Sequence, residues 1–171
     1  MDEIEILSLL LQDAECRTML AQDADLLSAT LGLQGDQIKF LNGLDPDQLQ
    51  SQADDLLRKR IFEIRKFAPS TLKANEPKVM SRFVNTVSRQ WPEGHLRHLV
   101  DARQFLEALA DSGDSVDYRE LNCIRFQLER KHIAIYLLRP GVHHGLGFQL
   151  IWKRRSGYRY RYCCWGPAKN S

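Results

Sequence analysis

Between His132 and Trp165 the sequence changes period, and that change constrains the fold more than any other feature of the chain. The runs HIAIYLL, GLGFQLIWK and GYRYRYCCW alternate apolar and polar residues, are rich in β-branched and aromatic side chains, and are bounded by glycine-containing turns. This is the pattern of a small antiparallel sheet. Upstream, the chain reads as helix after helix. The expected fold class is therefore α+β: an N-terminal helical bundle over residues 1–111, then a connecting helix and an antiparallel sheet of about three strands over residues 112–171.

Charge follows the same division. Residues 1–115 carry 13 basic and 19 acidic side chains, whereas residues 116–171 carry 11 and 3. From Lys131 onward there are eight Lys and Arg residues and no Asp or Glu. A short cationic sheet suits an anionic or extended ligand. No run approaches the roughly 18 to 20 apolar residues of a membrane span, and the acidic start MDEIEI lacks the charge and apolar core of a signal peptide. The expected location is the cytoplasm. Four cysteines fit it: Cys16 and Cys123 read as buried helix residues, and the adjacent Cys163 and Cys164 are badly placed to bond to each other.

In chain order, Ile4, Leu7, Leu10, Leu11, Ala14, Met19 and Leu20 follow three-four spacing, which predicts a first helix or a broken one. Gly32 is placed to end a second short helix, and Asn42-Gly43 a third. Asp45-Pro46 is a start signal, an N-cap carboxylate followed by proline at the first helical position. The helix it opens should run from Pro46 to about Ala68, with Leu49, Ala53, Leu56, Leu57, Phe62, Ile64 and Phe67 facing neighbours. Arg58, Lys59, Arg60, Arg65 and Lys66 line its later half and read as a solvated basic face favoured by the helix dipole. A further helix is expected from about Lys78 to Gln90.

The segment WPEGHLRHLVDARQFLEALA opens with a break at Trp91-Pro92 and a turn at Gly94, and predicts a helix from His95 to Ala110. His95, His98 and Asp101 are three apart and so project from one face, where they could hold a metal. With no HExxH and no second ligand cluster, they read more simply as capping and hydrogen-bonding residues. DSGDS, residues 111–115, reads as a linker. VDYRELNCIRFQLER then predicts the connecting helix, which packs on the sheet and gives it a core.

Catalytic signatures are missing: the chain has no phosphate loop, no GxSxG and no CxxC. His143-His144 and Cys163-Cys164 are metal-binding residue types, but neighbours in a strand point to opposite faces, so each pair offers one ligand to a given site. What remains is binding. In the last strand Tyr158, Tyr160 and Tyr162 fall on one face and Arg159, Arg161 and Trp165 on the other. If that strand is an edge, its open N–H and C=O groups can pair with a partner chain; arginines also serve simply to keep an edge soluble. Candidate peptide-binding residues are Lys153, Arg154, Arg155, Tyr158, Arg159, Tyr160, Arg161 and Tyr162. The same Tyr/Arg interleaving suits nucleic acid, although the acidic helical part would repel a long polyanion.

The segments LLRKRIFEIRKFAPSTL (Leu56 to Leu72) and WPEGHLRHLVDARQFLEAL (Trp91 to Leu109), followed by a small β-rich part, resemble the accessory proteins of multinuclear non-heme iron oxidases in ribosomal-peptide natural product pathways. The methanobactin (MbnC) and thiaglutamate (TglI) partners are the types, the latter favoured by the short chain and compact sheet. The pattern rests on Trp91, Pro92, Gly94, His95, Arg97, His98, Asp101, Ala102 and Phe105. The resemblance implies a chain with no cofactor of its own, whose Trp91, Gly94, His95, Arg97, His98 and Asp101 are structural or partner-facing. It implies a heterodimer with an oxidase that holds the iron. It further implies that the C-terminal sheet receives a precursor's leader peptide, so that a cysteine at the peptide's end reaches that iron.

Overall fold

Aspartates set the corners of the N-terminal helices. The computed structural model describes residues 1–87, 91–142, 145–155 and 157–165. Within it, Asp2 caps α1 (Glu3–Gln12) in a reciprocal capping box with Glu5. Asp13 ends α1 and caps α2 (Ala14–Gln22), and Asp23 ends α2 and caps α3 (Ala24–Leu31). Each carboxylate accepts from amides that helix starts leave without partners, a contribution of about 1 kcal/mol per cap. Gly32 ends α3 in the left-handed conformation, with φ 66°. After α4 (Asp36–Asn42), Asp45 accepts from the Asp47 and Gln48 amides and opens α5 (Pro46–Phe67), as the Asp-Pro signal predicts.

The chain divides into two compact units, Met1–Lys59 and Arg60–Ser171, and the division falls within α5. The first has its own core of Ile6, Leu10, Leu20, Leu27, Leu41 and Leu49. Arg17 is buried there, donating to the Leu10 and Leu11 carbonyls and to Gln50, so it satisfies the open C-terminal end of α1. The expected boundary at 111/112 does not separate the units. Asn75 donates to the Ser115 carbonyl, and Arg125 pairs with Glu107 at 2.7 Å. These bonds tie both sides of the supposed linker together.

In the second unit, α5 gives way to α6 (Pro69–Ala74), α7 (Val79–Thr86), α8 (Arg97–Asp111) and α9 (Tyr118–Leu128). The helix expected to reach Gln90 ends at Thr86; residues 88–90 lie outside the described residues. Phe83 of α7 and Phe105 of α8 meet edge to face, with centroids 5.3 Å apart, an arrangement worth about 1 kcal/mol beyond simple burial. Two assignments on α5 are corrected. Phe62 is exposed and Ile61 takes the buried position, while Arg60 is buried rather than solvated. The cause is a partner 41 residues away, Asp101, whose carboxylate binds both Nε and Nη2 of Arg60.

Strands β1 (Ile133–Leu138), β2 (Leu146–Arg154) and β3 (Gly157–Trp165) form an antiparallel sheet in the order β1-β2-β3, completing the α+β fold. Helix α9 packs on one face. Leu138 and Ile151 are buried on that side, and Gln149, also buried, donates to the Arg119 carbonyl and to Cys123 Sγ. Among the described residues no helix is long and apolar enough to cross a membrane.

Candidate functional site

The site is the outer margin of β3. The Lys153 amide donates to the His132 carbonyl at 2.7 Å, so Lys153 turns its backbone groups toward β1. In an antiparallel ladder this direction alternates along each strand, and a residue facing away from its neighbour is opposite one that does the same. Lys153 is opposite Tyr158, Ile151 opposite Tyr160 and Gln149 opposite Tyr162. The three tyrosines therefore aim N–H and C=O away from β2, where among the described residues no strand pairs with them. The residues whose side chains share the α9 side of the sheet are also those with open backbone groups.

A cleft of about 300 Å³ runs beside this edge, between the three tyrosines and a wall formed by Phe67, Pro69 and Glu120. Glu120 accepts from the Ser70 and Thr71 amides and from Thr71 Oγ1, and so caps α6, which has no N-cap side chain of its own. Arg119 is clamped by Asp117 at 2.6 Å and lies 5.0 Å over the Tyr162 ring. The hydrogen bonds that Arg119 donates to the Asp117 carboxylate raise the arginine's pKa further and fix its charge. Tyr158 packs against Phe126 at 6.3 Å, and burial pushes its phenol pKa up. Cys123 also lines the cleft; burial pushes its thiol to about 11, so it is protonated and a poor nucleophile. Sequence reasoning did not find Pro69, Asp117, Arg119 or Glu120, which become site residues only once α6 and α9 meet.

At the Gly157 end of the edge lies a second cavity of about 440 Å³, lined by His95, Arg130, Lys131, Lys153, Arg154 and Arg155 over an apolar floor of Leu96, Leu99 and Phe126. Among the described residues none that lines it is acidic, and Glu129 engages Lys131 from outside it at 2.9 Å. The cavity joins two groups of residues separated in sequence, His95 of the WPEGH segment and the basic turn at Lys153, Arg154 and Arg155. Arg159 and Arg161 are exposed and belong to the opposite side of the sheet from the tyrosines, as the strand period requires.

The other residues of the Trp91–Phe105 pattern have structural work. Trp91 lies 4.7 Å from the Arg60 guanidinium, and Asp101 binds that group, so both hold α5 to α8. Gly94 has φ 80°, a turn conformation that other residues adopt with strain. Arg97 Nε points to His98 Nε2 at 3.4 Å. His95 precedes α8 in a turn rather than lying on it, and Asp101 is committed to Arg60, so the three-ligand face does not form. Among the described residues no group of three or more His, Cys, Asp or Glu side chains is gathered for a metal. Cys163 is exposed and Cys164 half-buried, on opposite faces, while His143 and His144 lie outside the described residues. Comparisons with protein-family models, with curated proteins and with solved structures return no match.

Proposed function

We propose that this chain is a non-catalytic accessory subunit that receives an extended precursor peptide on β3 and presents it to an iron-dependent, cysteine-modifying oxidase. The thiaglutamate type of pathway is preferred, and the setting is the cytoplasm. The observation that carries the reading is the open backbone of Tyr158, Tyr160 and Tyr162 between a cleft and a cation-lined cavity. A strand added there would bond to those three residues. Its residues opposite them would turn toward the cleft, and the ones between would lie beside Arg159 and Arg161. Carboxylates at one end would meet Lys153, Arg154 and Arg155. The ligand so described is an extended acidic peptide with alternating apolar side chains. The resemblance of the Leu56–Leu72 and Trp91–Leu109 segments supplies the rest: the iron belongs to the partner enzyme, and this chain contributes binding. Tethering raises the effective concentration of the peptide's reactive end, so a modest leader contact suffices.

Co-expression with the products of neighbouring genes tests the reading. It requires an iron-binding oxidase and a short precursor peptide among them, a complex that co-purifies, and cysteine modification that slows at least tenfold when this chain is withheld. Equally fast modification without it overturns the proposal. The competing assignment to a nucleic-acid module draws on the stacked Tyr160 and Tyr162 rings. It requires binding to single-stranded DNA whose logarithm falls steeply with the logarithm of salt concentration.

A further inference from the structure

The sheet has a second surface. On the face turned away from α9, the register places Ile133, Ile135 and Leu137 of β1 opposite the half-buried Trp152 and Leu150 and the exposed Phe148 of β2, with Leu146 of β2 and Trp165 of β3 paired at the far corner. Ile133, Ile135, Leu137, Phe148, Leu146 and Trp165 are 64%, 73%, 70%, 43%, 50% and 56% exposed, and Phe148 and Trp165 hold each other at 5.7 Å. Together they leave on the order of 700 Å² of apolar-residue surface open, more than the few hundred Å² a free-standing monomer commonly shows. It is also close to the ~800 Å² that one partner contributes to a standard interface. Arg159 and Arg161 lie on the same face, along its β3 margin.

We infer that this face seats a second, different protein: one whose contact patch is apolar at its centre and carries carboxylates where it meets Arg159 and Arg161. In the proposed complex that protein is the enzyme subunit, so the inference rests on the reading above for the partner's identity. The charge pattern disfavours a second copy. From Ile133 to Trp165 the chain has no Asp or Glu. Two-fold stacking of the face on itself would lay each copy's arginines over its partner's arginines or over the aliphatic row of β1, with no carboxylate from either sheet to meet them. Shape disfavours a lipid surface. A twisted three-stranded sheet is saddle-shaped and matches another curved protein surface, whereas a flat bilayer would touch it only in part. The edge and the face meet only along Arg159 and Arg161, so one sheet can hold the peptide along its margin and the enzyme across its plane.

The test uses the full chain co-expressed with the oxidase subunit encoded beside it, as wild type, the pair Ile135→Asp/Leu137→Asp, and Tyr160→Pro. Both positions of the first pair are solvent-facing, and far-UV circular dichroism checks that each variant folds. Light scattering on the eluted complex should show a heterodimer for wild type and at least a tenfold loss of it for the first pair. Tyr160→Pro, which alters the edge alone, should keep the heterodimer. If the wild type forms a heterodimer that survives Ile135→Asp/Leu137→Asp, the inference about this face fails. If the wild type forms none, the accessory-subunit reading itself fails. Two controls overturn it in favour of another occupant: self-association of the isolated wild type in analytical ultracentrifugation that the apolar pair abolishes, or sedimentation with phosphatidylcholine–phosphatidylserine vesicles that it abolishes.

Discussion

Arg60 and Asp101 form a buried, two-pronged ion pair, with Nη2 to Oδ1 at 2.7 Å and Nε to Oδ2 at 3.0 Å, joining the start of the second compact unit to the middle of α8. The guanidinium is also stacked 4.8 Å from Phe83 and 4.7 Å from Trp91, and it donates to the Val87 carbonyl. Lysine can copy the charge but neither the fork nor the flat stacking surface.

Removing one partner strands the other in a place water does not reach. Asp101→Leu and Arg60→Met should each lower stability by about 3–5 kcal/mol. The double change Arg60→Met/Asp101→Leu should cost less than the sum of the two, because no charge is left unmatched. Urea unfolding followed by far-UV circular dichroism reads this directly; two single variants within 1 kcal/mol of wild type, on the scale of exposed pairs, would show the pair to be solvated.

Proline at Tyr160 removes an N–H that bonds nothing within the sheet, whereas proline at Arg161 removes a rung between β2 and β3. Tyr160→Pro should therefore keep the sheet's circular dichroism signature and weaken binding of the fluorescein-labelled precursor peptide at least tenfold. Arg161→Pro should lose both. Unchanged anisotropy titrations for Tyr160→Pro would remove strand addition from the account.

Charge along the same strand should matter separately. Arg159→Glu/Arg161→Glu should weaken that peptide several-fold, and raising salt should narrow the difference as screening grows. Equal affinities for the variant and the wild type at low salt would rule out these arginines as contacts.

Cys123 gives a pH dependence. Its thiol is pushed from 9.0 to about 11 in the folded chain by burial, so between those values the folded form keeps a proton that the unfolded form has released. Stability from this group is complete below pH 9 and falls as pH rises to 11, by up to about 2–3 kcal/mol. Urea midpoints at pH 8 and pH 10.5 should separate more in wild type than in Cys123→Ala. Equal separations would show that the thiol titrates alike in both states.

Gly147 faces a different constraint. A Cβ there would collide with the backbone of Cys163 and Cys164 across the ladder. Gly147→Ala should part β2 from β3 at that end and expose the Cys163 amide, which faces Phe148 across the ladder, to hydrogen exchange. Wild-type protection at Cys163 would mean that the strands can shift to accommodate the methyl group.

Local signals in the sequence were reliable where the cause was local. Asp45-Pro46 and Gly32 act within one turn of themselves, and both mark helix ends as expected. Pro69 was legible as the stop of α5, but not as the first residue of α6, because the Glu120 carboxylate that makes α6 worthwhile lies 50 residues beyond Ser70, whose amide it caps. Arg60 looked like one more cation on a basic helix for the same reason: nothing nearby announces Asp101. The strands were legible from their alternation, which correctly put Tyr158, Tyr160 and Tyr162 on one side of β3. The open apolar face was not, since IAIYLL is apolar at both parities and gives no sign of which side stays uncovered.

Cys163 and Cys164 follow each other in β3 yet report on different surroundings, one on the side of Arg159 and Arg161 and the other on the side of the cleft. A spectroscopic probe moved by a single residue thus changes from one proposed docking surface to the other. With two natural attachment points about 3.8 Å apart along the backbone, the proposed binding of a peptide and of an enzyme would each be timed separately on the same molecule.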